Sequence, residues 1–249
     1  MKSDLPLFYY QPNTVDFLEK SVELNKKIFK NLIILQKDFY EPFDSIYKHM
    51  CYNHEAFERF CLRRFFVMLE YVKENNIDKF LYSDTDAIFL KLLDFENILG
   101  KEHSILCKPA EQDKFDDIAA AHFSIWSRAG LENFCDFVLS VYANNIQIIE
   151  PKWHWHISTA TGGGICDMTL LYHWYKNKKS LLDYYNGGVF DRTIGISHNN
   201  YKNEFVTKDG IKKLKRKDSI VYGTNNKGEE IEFYGVHFQG ANKRLMFLL

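Results

Sequence analysis

The apolar positions of this 249-residue chain fall into two alternating periods. Short continuous runs at Leu7 to Tyr10 and Leu32 to Leu35 read as buried strands, the first stopped by Gln11-Pro12-Asn13. Between them Thr14 is a candidate N-cap for a helix over 15–29, with Phe17, Leu18, Val22 and Leu24 on one side. Residues 55–75 read as a long helix whose inner side carries Phe57, Cys61, Phe65, Met68, Leu69 and Val72, and 79–89 as a third strand. Further strands are expected over 104–108 and 123–126, the second followed by a helix that Ser127 caps. A triple-glycine turn, Gly162-Gly163-Gly164, precedes a helix over 167–177, and 220–222 with 231–238 read as a hairpin around Asn225-Asn226-Lys227-Gly228. Strands alternating with helices argue for an α/β fold, Rossmann-like, in one domain over 1–249: a mostly parallel central sheet, helices on both faces and a small C-terminal β-hairpin.

Composition narrows the class without naming a chemistry. At 46% hydrophobic and 26% charged the chain is globular, and a formal net charge of −1 gives no global reason to expect nucleic acid or an anionic membrane as partner. Its five cysteines are odd in number and form no Cys-x-x-Cys pair, which fits reduced thiols and a cytoplasmic location. The N-terminus has no signal-peptide pattern, and no apolar run reaches the roughly 18 residues of a spanning helix. Membrane contact, if there is any, is then peripheral. The basic run Lys212-Lys213-Leu214-Lys215-Arg216-Lys217 reads as a solvated loop or hairpin edge, with docking to anionic lipid or a charged acceptor as the functional alternative.

One segment breaks the apolar pattern. Residues 80–90 read Phe-Leu-Tyr-Ser-Asp-Thr-Asp-Ala-Ile-Phe-Leu, placing Asp84 and Asp86 inside an otherwise buried strand. Desolvating two like charges costs several kcal/mol each, roughly, unless a cation or partner compensates. Side chains at i and i+2 of an extended strand share a face, so both carboxylates reach one divalent ion. Near the C-terminus Val236-His237-Phe238-Gln239-Gly240-Ala241-Asn242-Lys243 adds an imidazole, a glycine that lets backbone approach a ligand, and a cation suited to phosphate. Asp84, Asp86 and His237 form a sensible set for Mn²⁺ (or Mg²⁺).

Asp-x-Asp after an apolar strand, followed by His-x-x-Gly-x-x-Lys, resembles the metal-dependent GT-A glycosyltransferases, nearest to the family of glycogenin and the bacterial lipooligosaccharide galactosyltransferases. The resemblance implies Asp84, Asp86 and His237 as metal ligands and Lys243 on the donor diphosphate. It also implies an arginine of the helix before the Asp-x-Asp strand facing the nucleotide; of the adjacent Arg63 and Arg64, Arg64 is favoured. Tyr9, Tyr10 and Gln11 end the first strand, where such a fold seats the base. Ser83, Asp84 and Gly240 complete the expected donor site. A UDP-sugar is the family default, and the acceptor is a hydroxyl of a glycan, lipid or protein. The Pro-Trp that often follows the lysine is Arg244-Leu245 here, so retention or inversion stays open.

Two further segments offer chemistry. Gly163 and Gly164 permit close approach to a sugar, and Asp167 at a helix start is either a simple cap or the carboxylate facing the reacting sugar. Pro151-Lys152-Trp153-His154-Trp155-His156 suggests a strand or loop with one face of Trp and one of His. Trp153, Trp155 and His156 are candidates for stacking on and binding an acceptor. No further ligand completes a zinc set with His154 and His156. Two other functions compete: a haloacid-dehalogenase-like phosphatase using Asp84 and Asp86, with Asp116-Asp117 as its later acidic pair, and a sugar-nucleotide-binding protein without catalysis.

Overall fold

The computed structural model describes residues 2–100, 104–107, 115, 117–175, 184–195 and 204–248. The chain opens with β1 (Leu7–Tyr10), α1 (Leu18–Asn25), β2 (Leu32–Leu35), α2 (Glu41–Asp44) and α3 (Glu55–Glu74). Next come β3 (Lys79–Ser83), β4 (Ala87–Phe89), α4 (Phe95–Leu99), β5 (Ser104–Cys107) and β6 (Ala120–Ser127). Helices α5 (Arg128–Asn144), α6 (Glu150–Thr159) and α7 (Asp167–Tyr175) follow. The last part holds β7 (Tyr184–Tyr185), β8 (Gly188–Phe190), β9 (Thr207–Lys208), β10 (Ile211–Lys212), β11 (Leu214–Lys217), β12 (Ile220–Thr224), β13 (Glu230–His237) and a 3₁₀ segment, Gly240–Leu248.

The central sheet runs β2-β1-β3-β6-β5. Its β2, β1 and β3 are parallel, joined by helical crossovers, whereas β6 and β5 continue it antiparallel. Strand parity divides its core. Phe8, Tyr10, Phe80 and Tyr82 project to one face, against Leu62, Phe65, Phe134 and Leu170 of α3, α5 and α7. Leu7, Tyr9 and Leu81 project to the other, among Phe29, Phe89, Phe95 and Phe123. Each such side chain contributes about 1.5–3 kcal/mol by leaving water. Ser127 caps α5 as expected, its Oγ accepting from Gly130 N–H at 3.0 Å. The first helix starts later than Thr14 would have it: Phe17 holds the N-cap position without a side-chain bond, its ring packing toward the second sheet.

The expected hairpin, β12–β13, belongs to that larger second sheet, β11-β12-β13-β8-β7, with β4 also paired to β13. This pairing is what positions the site. The expected strand over 79–89 is broken at Asp84-Thr85-Asp86, where Ala87 N–H donates to the Asp84 carbonyl at 3.0 Å and turns the chain from one sheet into the other. The aspartates therefore sit in a turn, not at i and i+2 of one extended strand. β4 then runs antiparallel to β13 with Ala87 opposite His237, and Phe238 N–H donates to the Asp86 carbonyl at 2.8 Å. The basic run lies on β10 and the edge strand β11, where Lys215, Arg216 and Lys217 are exposed. Among the described residues no helix is long and apolar enough to cross a membrane.

Candidate active site

Asp84 and Asp86 leave the carboxyl end of β3, beside the carboxyl end of parallel β1, where sheets of this kind seat ligands. One ligand atom from each of Asp84, Asp86 and His237 lies within 4.8 Å of the others, a grouping found nowhere else among the described residues. His237 is oriented by its own backbone surroundings: its Nδ1 is 2.6 Å from the Arg192 carbonyl, which assigns the N–H to that side and turns Nε2 to the carboxylates. Nε2 is 3.2 Å from Asp86 Oδ1 and 3.9 Å from Asp84 Oδ2. Burial opposes a charge on this imidazole, but the bond to Asp86 and the two carboxylates outweigh it and lift His237 to about 9. Burial likewise opposes ionisation of Asp86, yet His237 and Lys243 hold its carboxyl well below the usual range. Lys243 Nζ is 3.3 Å from Asp86 Oδ2 and 4.9 Å from the centre of the Phe17 ring.

Arg64 ties this group to a third acid. Its Nη1 donates to Asp84 Oδ1 and to Tyr82 OH, each at 2.7 Å, and its Nη2 to Asp167 Oδ2. Tyr82 OH also donates to Asp84 Oδ1 at 2.7 Å. Asp84 Oδ1 is thus fixed, and Oδ2 is the oxygen turned toward His237. Burial pushes the Asp167 carboxyl up, the Arg64 cation pulling the other way. Arg63 turns outward to Asp44 and Asp38, whereas Arg64 turns inward to Asp84 and Asp167.

Two cavities flank the triad. The first, about 460 Å³, is lined by Tyr10, Gln11, Thr85, Gly240, Lys243 and the acids of the turn. The second, about 340 Å³, lies toward α7 and is lined by Asn53, Glu58, His122, Asp167 and Arg192 among others. Phe57, Cys61, Arg64, Asp84, His237 and Gln239 line both. The structure therefore brings Tyr10, Gln11, Arg64, Asp84, Asp86, Asp167, His237, Gly240 and Lys243 together.

Other expected residues lie elsewhere. Tyr9 faces the opposite side of β1 from Tyr10; it is fully buried, with its hydroxyl 2.7 Å from Ser21 Oγ and bonded by Asn25. A ring there cannot stack on a base. Ser83 is also fully buried and lines neither cavity. Gly164, at φ +147, meets its own chain: a Cβ would come within 2.5 Å of Cys51 Cα, because residues 50–52 pair with the glycine turn. A Cβ on Gly163, at φ +102, would lie 3.1 Å from His156 Cε1. Both glycines and His156 line a third cavity, about 380 Å³, that adjoins the second through Asn53, Cys166 and Met168.

The alternating Trp-His segment is helix α6, begun by Pro151 in its first turn. Residues two apart on a helix point about 200° apart, so the two tryptophans share no face. Trp153 packs against Tyr52 at 5.5 Å, and Trp155 lies 5.9 Å from Phe115; neither lines a cavity at the triad. Asp116 lies outside the described residues, while Asp117 stands 3.6 Å from His173. Glu58, His122 and Arg192 were not expected at all. Glu58 alone left a trace, a charge four residues before Leu62 and seven before Phe65 on the inner stripe of its helix.

No protein-family model matches this chain, and no curated protein matches it. Among solved structures it is similar to a glycosyltransferase involved in the glycosylation of the major capsid of PBCV-1, with TM-score 0.50 and 10% identity over 98% of this chain and 99% of that one. Mouse xyloside xylosyltransferase 1 gives TM-score 0.42 and 8% identity over 79% of this chain and 89% of that one. A197 from STIV gives 0.35 and 9% over 94% of each. The first likeness carries the fold: a mixed α/β architecture of GT-A glycosyltransferase type.

Proposed function

We propose that the protein transfers a sugar from a nucleotide-diphosphate donor, by default a UDP-sugar, to a hydroxyl of a glycan, lipid or protein. The observation that carries this reading is the convergence of Asp84, Asp86 and His237 at the strand ends of a glycosyltransferase-type fold. The donor set fits Mn²⁺ or Mg²⁺: two carboxylate oxygens and an imidazole nitrogen face one point, and each ligand's remaining atom is engaged elsewhere. The two carboxylates that raise the imidazole's pKa make this a site of concentrated negative charge, which suits a divalent cation. When bound, the metal supplies positive charge beside the departing diphosphate.

The chain's own residues carry the rest of the proposal. Lys243 leaves Asp86 to meet phosphate oxygens, and Gly240 at the rim gives the backbone room, with nothing within 4 Å of where a Cβ would stand. Tyr10 and Gln11 border the base end of the first cavity, and Thr85 Oγ1 holds Gln11 Oε1 at 2.9 Å. Arg64 keeps Asp84 and Asp167 in place. Asp167 then faces the sugar from the second cavity, as a hydrogen-bond partner or base for a hydroxyl. Trp153 and Trp155 are half-buried and line no cavity at the triad, so nothing supports acceptor binding by them, and His156 keeps it only through the adjoining third cavity.

The test is thermal shift against UDP- and GDP-sugars with and without Mn²⁺, followed by transfer assays on the binders. Stabilisation that requires Mn²⁺ and disappears in EDTA is expected, since a ligand bound only to the folded state raises its apparent stability. Equal response to every nucleotide sugar after chelation removes the proposal. Hydrolysis of an aryl phosphate at a rate comparable with transfer restores the phosphatase reading.

A further inference from the structure

The second cavity holds a carboxylate that none of these roles uses. Glu58 stands in the first turn of α3 and is 1% exposed. Its Oε1 accepts from Asn53 Nδ2 at 2.8 Å and from Cys51 Sγ at 3.5 Å. Its Oε2 is buried with no partner at all. An unsatisfied buried acceptor costs about 1–3 kcal/mol, and more when charged. The same position filled by an apolar side chain would continue the stripe of Leu62 and Phe65 at no such cost. Buried polar atoms are normally paired, so an unpaired one on a cavity-lining residue leaves a bonding position for a water or a ligand hydroxyl to fill.

The surroundings say what kind. His122, on β6, lines the same cavity, is 5% exposed, and its Nε2 is likewise buried without a partner. Ala120 and Ala121 beside it leave open volume. Asn53, Asp167 and Gln239 add further polar groups. A phosphate would meet two cations here, Arg64 and Arg192, but also two carboxylates, Glu58 and Asp167, and Arg64 is already held by Asp84 and Asp167. A planar base would find few flat apolar faces. A ligand carrying several neutral hydroxyls, each able to donate and accept, matches a carboxylate oxygen, an amide and an imidazole nitrogen set around one space.

We propose that Glu58 Oε2 accepts a hydrogen bond from a hydroxyl of the donor's sugar, making Glu58 a specificity-determining residue of the second cavity. This rests on the nucleotide-sugar reading above. It goes further by separating the groups that hold the diphosphate from one that reads the sugar.

The test is calorimetric titration, with Mn²⁺ present, of UDP and a panel of UDP-sugars, and of GDP with GDP-mannose, into the wild-type chain and Glu58→Gln. The quantity read is the affinity ratio of the best-bound nucleotide sugar to its bare nucleoside diphosphate. The ratio cancels effects common to both ligands, and any unfolded fraction appears in the stoichiometry. The expected result is a ratio about tenfold lower in the variant, the loss of one hydrogen bond to a charged acceptor, with diphosphate affinity unchanged. Glu58→Asp, which withdraws the carboxylate by one methylene, should lower the ratio as well and serves if the amide does not fold. An unchanged ratio in a folded variant overturns the inference while leaving the metal and diphosphate reading standing. If the wild-type chain binds neither diphosphates nor sugar nucleotides, both fall.

Discussion

Two arginine–carboxylate knots sit on adjacent residues of α3, and they differ in what they leave open. The outer one is closed. Asp44 receives Arg63 Nη2 at 2.7 Å, Arg59 Nη1 at 3.2 Å and the Tyr40 N–H at 2.9 Å, and Arg63 also reaches Asp38 at 3.0 Å. Both Asp44 oxygens and every neighbouring cation find partners within the chain. The inner knot sets one guanidinium, Arg64, against two carboxylates, Asp84 and Asp167. Around it Arg64 Nε, Glu58 Oε2 and His122 Nε2 stay buried without partners. Similar groups one residue apart thus make a fastening on one side and an incomplete coordination shell on the other. Charge on a helix is informative only with its unfilled bonding capacity.

The largest effect should come from removing the inner cation. Arg64→Met leaves the buried Asp167 without its counter-charge and takes from Asp84 the closer of its two cationic neighbours. Breaking a buried pair in this way costs about 3–5 kcal/mol. Urea unfolding in EDTA measures it, and a loss under about 1 kcal/mol would mean that water already serves these acids. Asp86→Asn should cost less in stability but remove most of the chemistry. Its Mn²⁺-dependent thermal shift should vanish and transfer fall by at least about 100-fold, since even changes to groups that merely hold a metal's ligands cost about 10–100-fold. Asp44→Asn is the matched change in the outer knot and should leave the Mn²⁺ shift intact. If both substitutions weaken Mn²⁺ binding alike, the two knots are not distinct. Arg63→Met should cost less than Arg64→Met, because Arg59 and the Tyr40 N–H remain on Asp44.

The same contrast explains which parts of the molecule were legible beforehand. Strands β1 and β2 carry continuous apolar runs, and their ends fall where the runs end. Asp84, Asp86 and His237 were legible because charged or titratable groups interrupt apolar strands, and their residue types suit one ion. The route by which they meet was not: a turn at Thr85 and the pairing of β4 with β13 are long-range contacts that leave no local period. Tyr9 and Tyr10 were indistinguishable for a different reason. A strand buried on both faces has no polar side to give its parity, so nothing marks which ring faces the cavity. Over 150–159 the alternation of Trp and His imitated a strand, yet Pro151 in the first turn and i to i+4 bonding made a helix. Glu58 is marked only as a charge on the apolar stripe of its helix, and a solvated first-turn carboxylate would look the same in sequence.

Acid titration gives the smallest and cleanest separation of the knots. Burial works against ionising Asp44, but the bonds from Arg63, Tyr40 N–H and Arg59 outweigh it and hold its carboxyl below the ordinary 3.8. The unfolded chain therefore takes up this proton before the folded one does. Asp44's contribution to stability is complete above the unfolded value of 3.8 and drains away as pH falls through the lower folded value. Urea midpoints of wild type and Asp44→Asn, compared from pH 7 to pH 3, should differ most at neutral pH, by less than about 1 kcal/mol, and converge in acid. Asp167 predicts the opposite slope, because burial raises its carboxyl in the folded state. It is the folded chain that holds that proton longer, so the cost of ionising Asp167 is felt above 3.8 and disappears below it. Asp167→Asn should then gain on wild type as pH rises, where Asp44→Asn loses. A closed knot is strengthened by its charges, and an open one is burdened by them until a ligand arrives; parallel slopes for the two variants would erase that distinction.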